Sequence, residues 1–175
     1  EGLLSLGDWQ WQSADTVRFL DDDNNPITDD FGNEIVAAFD AEGVHVGDAA
    51  QTQHGLSLRY EPTYNSYIKL RSTYYESYYA DFDPLSLNGE NAGRESWILP
   101  SYMLIDLHAG YKFSLWNKSK LDLKLSILNL FDEIYISDAQ NNDPYNTNYQ
   151  DFDAKSAGVF FGLGRRFTMS AKYIF

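Results

Sequence analysis

The chain closes on GRRFTMSAKYIF, and this ending alternates strictly. Phe167, Met169, Ala171, Tyr173 and Phe175 fall on one side of an extended strand, and Arg166, Thr168, Ser170, Lys172 and Ile174 on the other. The pattern recurs upstream. Met103, Ile105, Leu107, Ala109, Tyr111 and Phe113 form one row, against Tyr102, Leu104, Asp106, His108, Gly110 and Lys112. Leu121, Leu123, Leu125 and Ile127 oppose Asp122, Lys124 and Ser126; Ile68, Leu70, Ser72 and Tyr74 oppose Lys69, Arg71, Thr73 and Tyr75; Leu56, Leu58 and Tyr60 oppose Ser57, Arg59 and Glu61. Residues 3–20 also read as extended, with a bulge expected at Gly7-Asp8. Helical periodicity is nearly absent, so the expectation is an all-β chain of six strands.

The connectors add a second constraint. EPTYN and SLWNKSK are short, whereas 21–50, 82–99 and 139–155 are long, acidic and rich in Asn, Gly and Tyr. Short turns at one end and long loops at the other describe an up-and-down antiparallel sheet with two unlike ends. A transmembrane β-barrel of the outer-membrane type has this layout, with spans of roughly ten residues that alternate apolar and polar. The nine residues from Phe167 to Phe175 rise about 3.4 Å each, enough for an apolar band of roughly 25 Å. Tyr and Phe gather near strand ends, the level of lipid headgroups. Six strands cannot close around Lys69, Arg71, Asp106, His108, Lys112, Arg166 and Lys172 together. An open sheet edge is not tolerated in lipid. The chain is therefore expected to be the last part of a wider antiparallel transmembrane β-barrel, those seven residues lining its lumen.

Composition excludes some alternatives. With 26 acids against 13 bases and a net charge of −13, the chain lacks the basic footprint of a nucleic-acid binder. It has no cysteine, hence no disulfide scaffold and no thiolate metal site. No run of 18 apolar residues marks a transmembrane helix. Glu1 opens directly onto GLLSLGDWQW with no basic region before it, which is expected either after removal of a signal or in the middle of a longer protein.

Several ordered segments carry a resemblance: VGDAAQTQ (46–53), YYADFDP (78–84), LPSYMLIDLHAGYKF (99–113), LNLFDEIYISDA (128–139) and GLGRRFTMSAKYIF (162–175). Together they resemble the carboxy-terminal strands of TonB-dependent outer-membrane receptors, most closely those of Bacteroidetes, over essentially residues 1–175. Asn129-Leu130-Phe131-Asp132 with Tyr135, then a Gly-Arg-x-Phe final strand, is the usual ending of that family. The resemblance implies a 22-stranded barrel closed by an amino-terminal plug and opened by the inner-membrane TonB complex. It implies import of siderophore-bound iron, haem, cobalamin or a similar nutrient, without a cofactor of its own. It also implies residence in the outer membrane with a periplasmic carboxy terminus, and, in some branches, a partner surface lipoprotein. The plug and the TonB box lie outside this sequence, so no site in them can be placed here. Phe167, Tyr173 and the terminal Phe175 resemble the signal read by the barrel-assembly machinery.

Few residues suggest chemistry. Asp106, His108 and Ser126 could compose a hydrolytic triad, although polar lumen lining explains them as well. His45, His54 and His108 share no metal-ligand spacing. Asp21, Asp23 and Asn25 follow the first positions of a calcium loop, but Pro26 stands where the turn needs glycine and Gly32 where it needs a glutamate. Solute contact is expected from long-loop aromatics: Trp97, Tyr145, Tyr149 and Phe152. The competing readings are a soluble or surface-anchored β-sandwich that binds glycans, and a small outer-membrane enzyme built around His108.

Overall fold

Strands β1 (Gly2–Leu6), β4 (Ala50–Thr63), β5 (Ser66–Tyr78), β6 (Tyr102–Ser114), β7 (Lys120–Leu128) and β10 (Arg166–Ile174) pair in that order into one antiparallel sheet. The computed structural model describes residues 1–141 and 152–175. Two further antiparallel pairs stand apart from the sheet, β2 (Ala14–Arg18) with β3 (Val36–Asp40) and β8 (Ile136–Asn141) with β9 (Ala157–Phe161). The sheet is open: β1 and β10 are its edges, and neither has an outer partner among the described residues.

The alternation read from the sequence sorts the sheet into two faces, because paired residues of neighbouring strands point the same way. Ile68 pairs with Ala109, Leu70 with Leu107, Ala109 with Leu125 and Leu125 with Met169, forming apolar rows across four strands. Leu58 and Tyr60 extend these rows onto β4. On the other face Arg59 pairs with Lys69, Lys69 with His108, His108 with Ser126 and Ser126 with Thr168. Apolar side chains on the first face are open, Leu58 being 62% and Met169 77% exposed.

Short turns close one end. Tyr64-Asn65 joins β4 to β5, with Thr63 and Ser66 hydroxyls 2.7 Å apart, and 115–119 joins β6 to β7 through a left-handed Lys118 (φ 66°). All three long connections emerge at the opposite end. There they bury what the sheet does not: Ala41, Val44, Ala80, Phe82, Leu87, Leu99, Ala139 and Phe152 form one hydrophobic core. The apolar centre of the described fold is thus a loop cap, while the sheet has no core of its own.

Two expectations need correction. Residues 3–20 are not one strand with a bulge. Gly7 ends β1, and a Cβ there would stand 3.0–3.1 Å from the Trp9 ring and the Gln51 carbonyl; the chain then leaves the sheet and re-forms as β2. The connectors 21–50 and 139–155 are also more regular than read. They contain β3 and part of the β8–β9 pair, and a three-way junction at residues 19–35. In that junction Phe19 N–H donates to Ile35, Ile35 N–H to Ile27 and Ile27 N–H to Phe19, a closed ring of three backbone hydrogen bonds.

Candidate functional site

The polar face is built by the strand period alone. Lys69, Arg71, Asp106, His108, Lys112, Arg166 and Lys172 all share it, because odd positions of β5 pair with even positions of β6, β7 and β10. Tyr67 lies flat across this face. Its ring covers Gly110, where a Cβ would come within 2.3 Å of it, and the Arg59 guanidinium stacks 4.0 Å from the ring centroid. Where the face meets the loop cap, Tyr75, Tyr102 and Tyr135 stack in a column at centroid spacings of 4.8 and 4.4 Å.

The imagined triad does not assemble. His108 Nδ1 and Ser126 Oγ lie 2.9 Å apart, but the Asp106 carboxylate accepts from the Asn129 backbone N–H at 3.0 Å. His108 therefore touches a hydroxyl, with no hydrogen bond to the carboxylate that would orient it for base catalysis. The calcium-like spacing at Asp21 is likewise used internally: its Oδ1 accepts from the N–H groups of Asp23 and Asn25 at 2.9 and 2.8 Å. Asn25 donation holds that carboxyl below the usual range. Among the described residues no group of three or more His, Asp or Glu is placed to hold a metal ion.

The loop cap contains the other polar constellation. His45 stacks on Tyr79 (4.1 Å, 2° between planes), with Nδ1 2.7 Å from Glu95 Oε2 and Nε2 3.2 Å from Asp8 Oδ1. The imidazole thereby ties the β1–β4 connection to the β5–β6 connection. Burial, then the carboxylates of Glu95 and Asp8, push the Tyr79 hydroxyl up. Nearby, burial followed by the charges of Asp81 and Asp138 raises the Asp48 carboxyl.

Of the loop aromatics expected to meet a solute, Phe152 is 8% exposed within the cap core, where the neighbouring apolar loops claim it. It offers almost no surface to a ligand. Trp97 is half-buried against the same core, and its carbonyl accepts from Ala80 N–H at 2.8 Å. Tyr145 and Tyr149 lie outside the described residues. Phe167, Tyr173 and Phe175 are exposed in one row of the edge strand, Tyr173 and Phe175 meeting edge-on at 5.4 Å.

The residues that carry the resemblance at the chain's end meet in space. Asn129 Nδ2 donates to the carbonyls of Glu133 and Leu163 at 2.9 and 3.3 Å, and its Oδ1 accepts from Glu133 N–H at 2.8 Å. Asp132 Oδ1 accepts from Arg165 N–H at 2.7 Å, and Tyr135 covers Gly162, where a Cβ would penetrate its ring. The Asn-Leu-Phe-Asp turn thus holds the start of the last strand beside the end of β7. In comparisons with known proteins, no family model matches the chain and no curated protein matches it.

Proposed function

We propose that the chain is the carboxy-terminal strand set of a TonB-dependent transporter barrel in a Gram-negative outer membrane, serving gated nutrient import rather than covalent chemistry. The observation that carries this reading is the exposed apolar face that crosses the sheet, interrupted by Ser72 and giving way to Thr52, His54 and Glu76 toward the cap. Five strands of nine or more residues, about 4.8 Å apart, outline roughly 700 Å², whereas the largest apolar patch on an ordinary monomer is about 300–600 Å². Lipid covers such a face without any further polypeptide. Thirteen-residue strands β5 and β6 reach roughly 44 Å, and a tilt of about 40° leaves roughly 34 Å along the membrane normal. That is ample for the hydrocarbon layer.

Supporting features follow from the same geometry. The open edges at β1 and β10 suit a sheet continued by other strands. The cationic polar face suits an aqueous or protein-filled lumen, and the cap of three long connections suits the outer mouth. On this reading Lys69, Arg71, Asp106, His108, Lys112, Arg166 and Lys172 line the lumen, and the row ending in Phe175 is the assembly signal.

The test is to express the complete gene from which the chain derives and fractionate the cells. The transporter reading expects carbonate-resistant outer-membrane material whose gel mobility shifts on boiling, with further alternating strands and a plug encoded upstream. Recovery as a soluble protein would overturn it and favour a sandwich in which a second sheet covers the apolar face.

A further inference from the structure

We propose that His45 is a pH-operated latch that pins the chain's exit from β1 to the loop cap. Three connections meet at its ring. Asp8 belongs to the connection that leaves β1, His45 to the one between β3 and β4, and Glu95 to the one between β5 and β6. Nδ1 lies 2.7 Å from Glu95 Oε2, and Nε2 lies 3.2 Å from Asp8 Oδ1. A neutral imidazole carries one N–H, so only the doubly protonated ring donates to both carboxylates. The arrangement in the structure is therefore that of the charged ring, and histidine is the side chain that changes charge between about pH 5 and 8.

The two sides of the clamp are unequal. Glu95 is held by more than the ring, because its Oε1 accepts from the N–H groups of His45 and Ser96 at 3.1 and 2.8 Å. The shorter contact, at Nδ1, keeps its proton when the ring gives one up, so the loss falls on Nε2. A lone pair then faces the Asp8 carboxylate. Gln10 is placed to take over, its Nε2 lying 3.3 Å from both His45 Nε2 and Asp8 Oδ1. In the neutral state Gln10 donates to the ring and Asp8 is released. The following residues stay in place, since Trp11 N–H donates to the Val44 carbonyl and Val46 N–H to that of Trp9, both at 2.9 Å. What loosens is the joint at Gly7-Asp8, where the chain passes from the sheet to the cap.

The other groups that face the ring leave the imidazole as the one that switches. Tyr79 stacks on it at 4.1 Å, and burial, then the charges of Glu95 and Asp8, raise its hydroxyl. That phenol stays neutral over the whole interval. Among the described residues neither carboxylate has another cationic partner. The contact with Asp8 thus stabilises the joint at acidic pH and is lost as pH rises. Asp8 is 76% exposed, so solvent screening keeps the effect modest.

The experiment is hydrogen exchange with mass spectrometry on the whole gene product from about pH 5.5 to 8, with the intrinsic rise of exchange with pH divided out. Peptides covering residues 5–9, which include the Trp9 N–H bonded to Gln51 Oε1, are expected to exchange about two- to five-fold faster at the upper end. The Ser96 amide should hold, because Glu95 keeps its bond to Nδ1. His45→Gln should remove the response. Asp8→Asn leaves the ring in place and should remove it too, which keeps the test open if the first variant misfolds. Asp48→Asn should leave it intact, separating this latch from the carboxyls around Asp48. A flat profile at residues 5–9, or a slope that survives Asp8→Asn, would overturn the proposal. Loosening of Ser96 in step with residues 5–9 would overturn it in favour of a clamp that opens as a whole. Membrane fractionation reads the transporter assignment separately, so either idea can fail alone.

Discussion

At Asn129 a left-handed backbone (φ 50°), near-complete burial and three side-chain hydrogen bonds coincide. Few residue types tolerate that φ, and alanine supplies neither the donor nor the acceptor. Asn129→Ala is expected to cost about 2–4 kcal/mol, read by urea or thermal unfolding of the protein. Gly110 presents the complementary case, in which the absence of a side chain is what matters. A methyl there would meet the Tyr67 ring at 2.3 Å. Gly110→Ala should therefore destabilise by about 1–3 kcal/mol, and combining it with Tyr67→Ala should remove most of the added penalty in a double-mutant cycle. An outcome in which the two substitutions simply add would mean that the ring does not rest on the glycine in solution.

Among the elements, β10 gives the sharpest test of what the apolar face meets. Met169 and Thr168 are neighbours in sequence but point to opposite faces, Met169 beside Leu125 and Thr168 beside Ser126. If lipid lies against the first face, Met169→Arg should lower barrel stability by about 2–4 kcal/mol, and Thr168→Arg by far less, as measured by refolding into vesicles. The main strands were legible because a half-buried strand must alternate, and β4, β5, β6, β7 and β10 do so over nine or more residues. The β2–β3 and β8–β9 pairs were not, because strands such as Val36–Asp40 and Ala157–Phe161 have five residues, too few for a period to emerge. The junction at 19–35 did leave a trace, an eight-residue repeat: Phe19, Ile27 and Ile35, with Asp21 matched by Asp29 and Asn25 by Asn33. Each Asp closes a five-residue turn, Asp29 accepting from Phe31 and Asn33 N–H as Asp21 does from Asp23 and Asn25. The polar-face residues followed from strand parity, whereas the burial of Phe152 depends on contacts between distant loops and has no local signature.

Over the whole molecule, stability is divided between a cap that packs on itself and a sheet that depends on its surroundings. The cap's acidity gives it a pH response. Asp48, at φ 65°, has a carboxyl raised by burial and by Asp81 and Asp138. An acid whose folded pKa exceeds its unfolded value of about 3.9 holds more protons when folded across that interval. Stability therefore falls as pH rises from about 3.9 through the raised value, and is recovered on acidification. Asp48→Asn keeps a residue suited to positive φ, so it should flatten this slope and stabilise the cap at neutral pH. Solvent screening keeps the gain under about 1 kcal/mol. Hydrogen exchange of cap amides against pH would check both expectations, and an unchanged slope would mean that the three carboxylates do not sense one another. The ring formed by Phe19, Ile27 and Ile35 has a practical corollary. Besides that ring, the two turns hanging from it are tied to β2 by the Arg18–Glu34 ion pair at 3.6 Å, and Phe31 at one tip is 91% exposed. A short epitope spliced beside Phe31 can thus extend outward without disturbing the bonds at its root, giving whole cells a handle by which an antibody could report whether the cap is displayed at the cell surface.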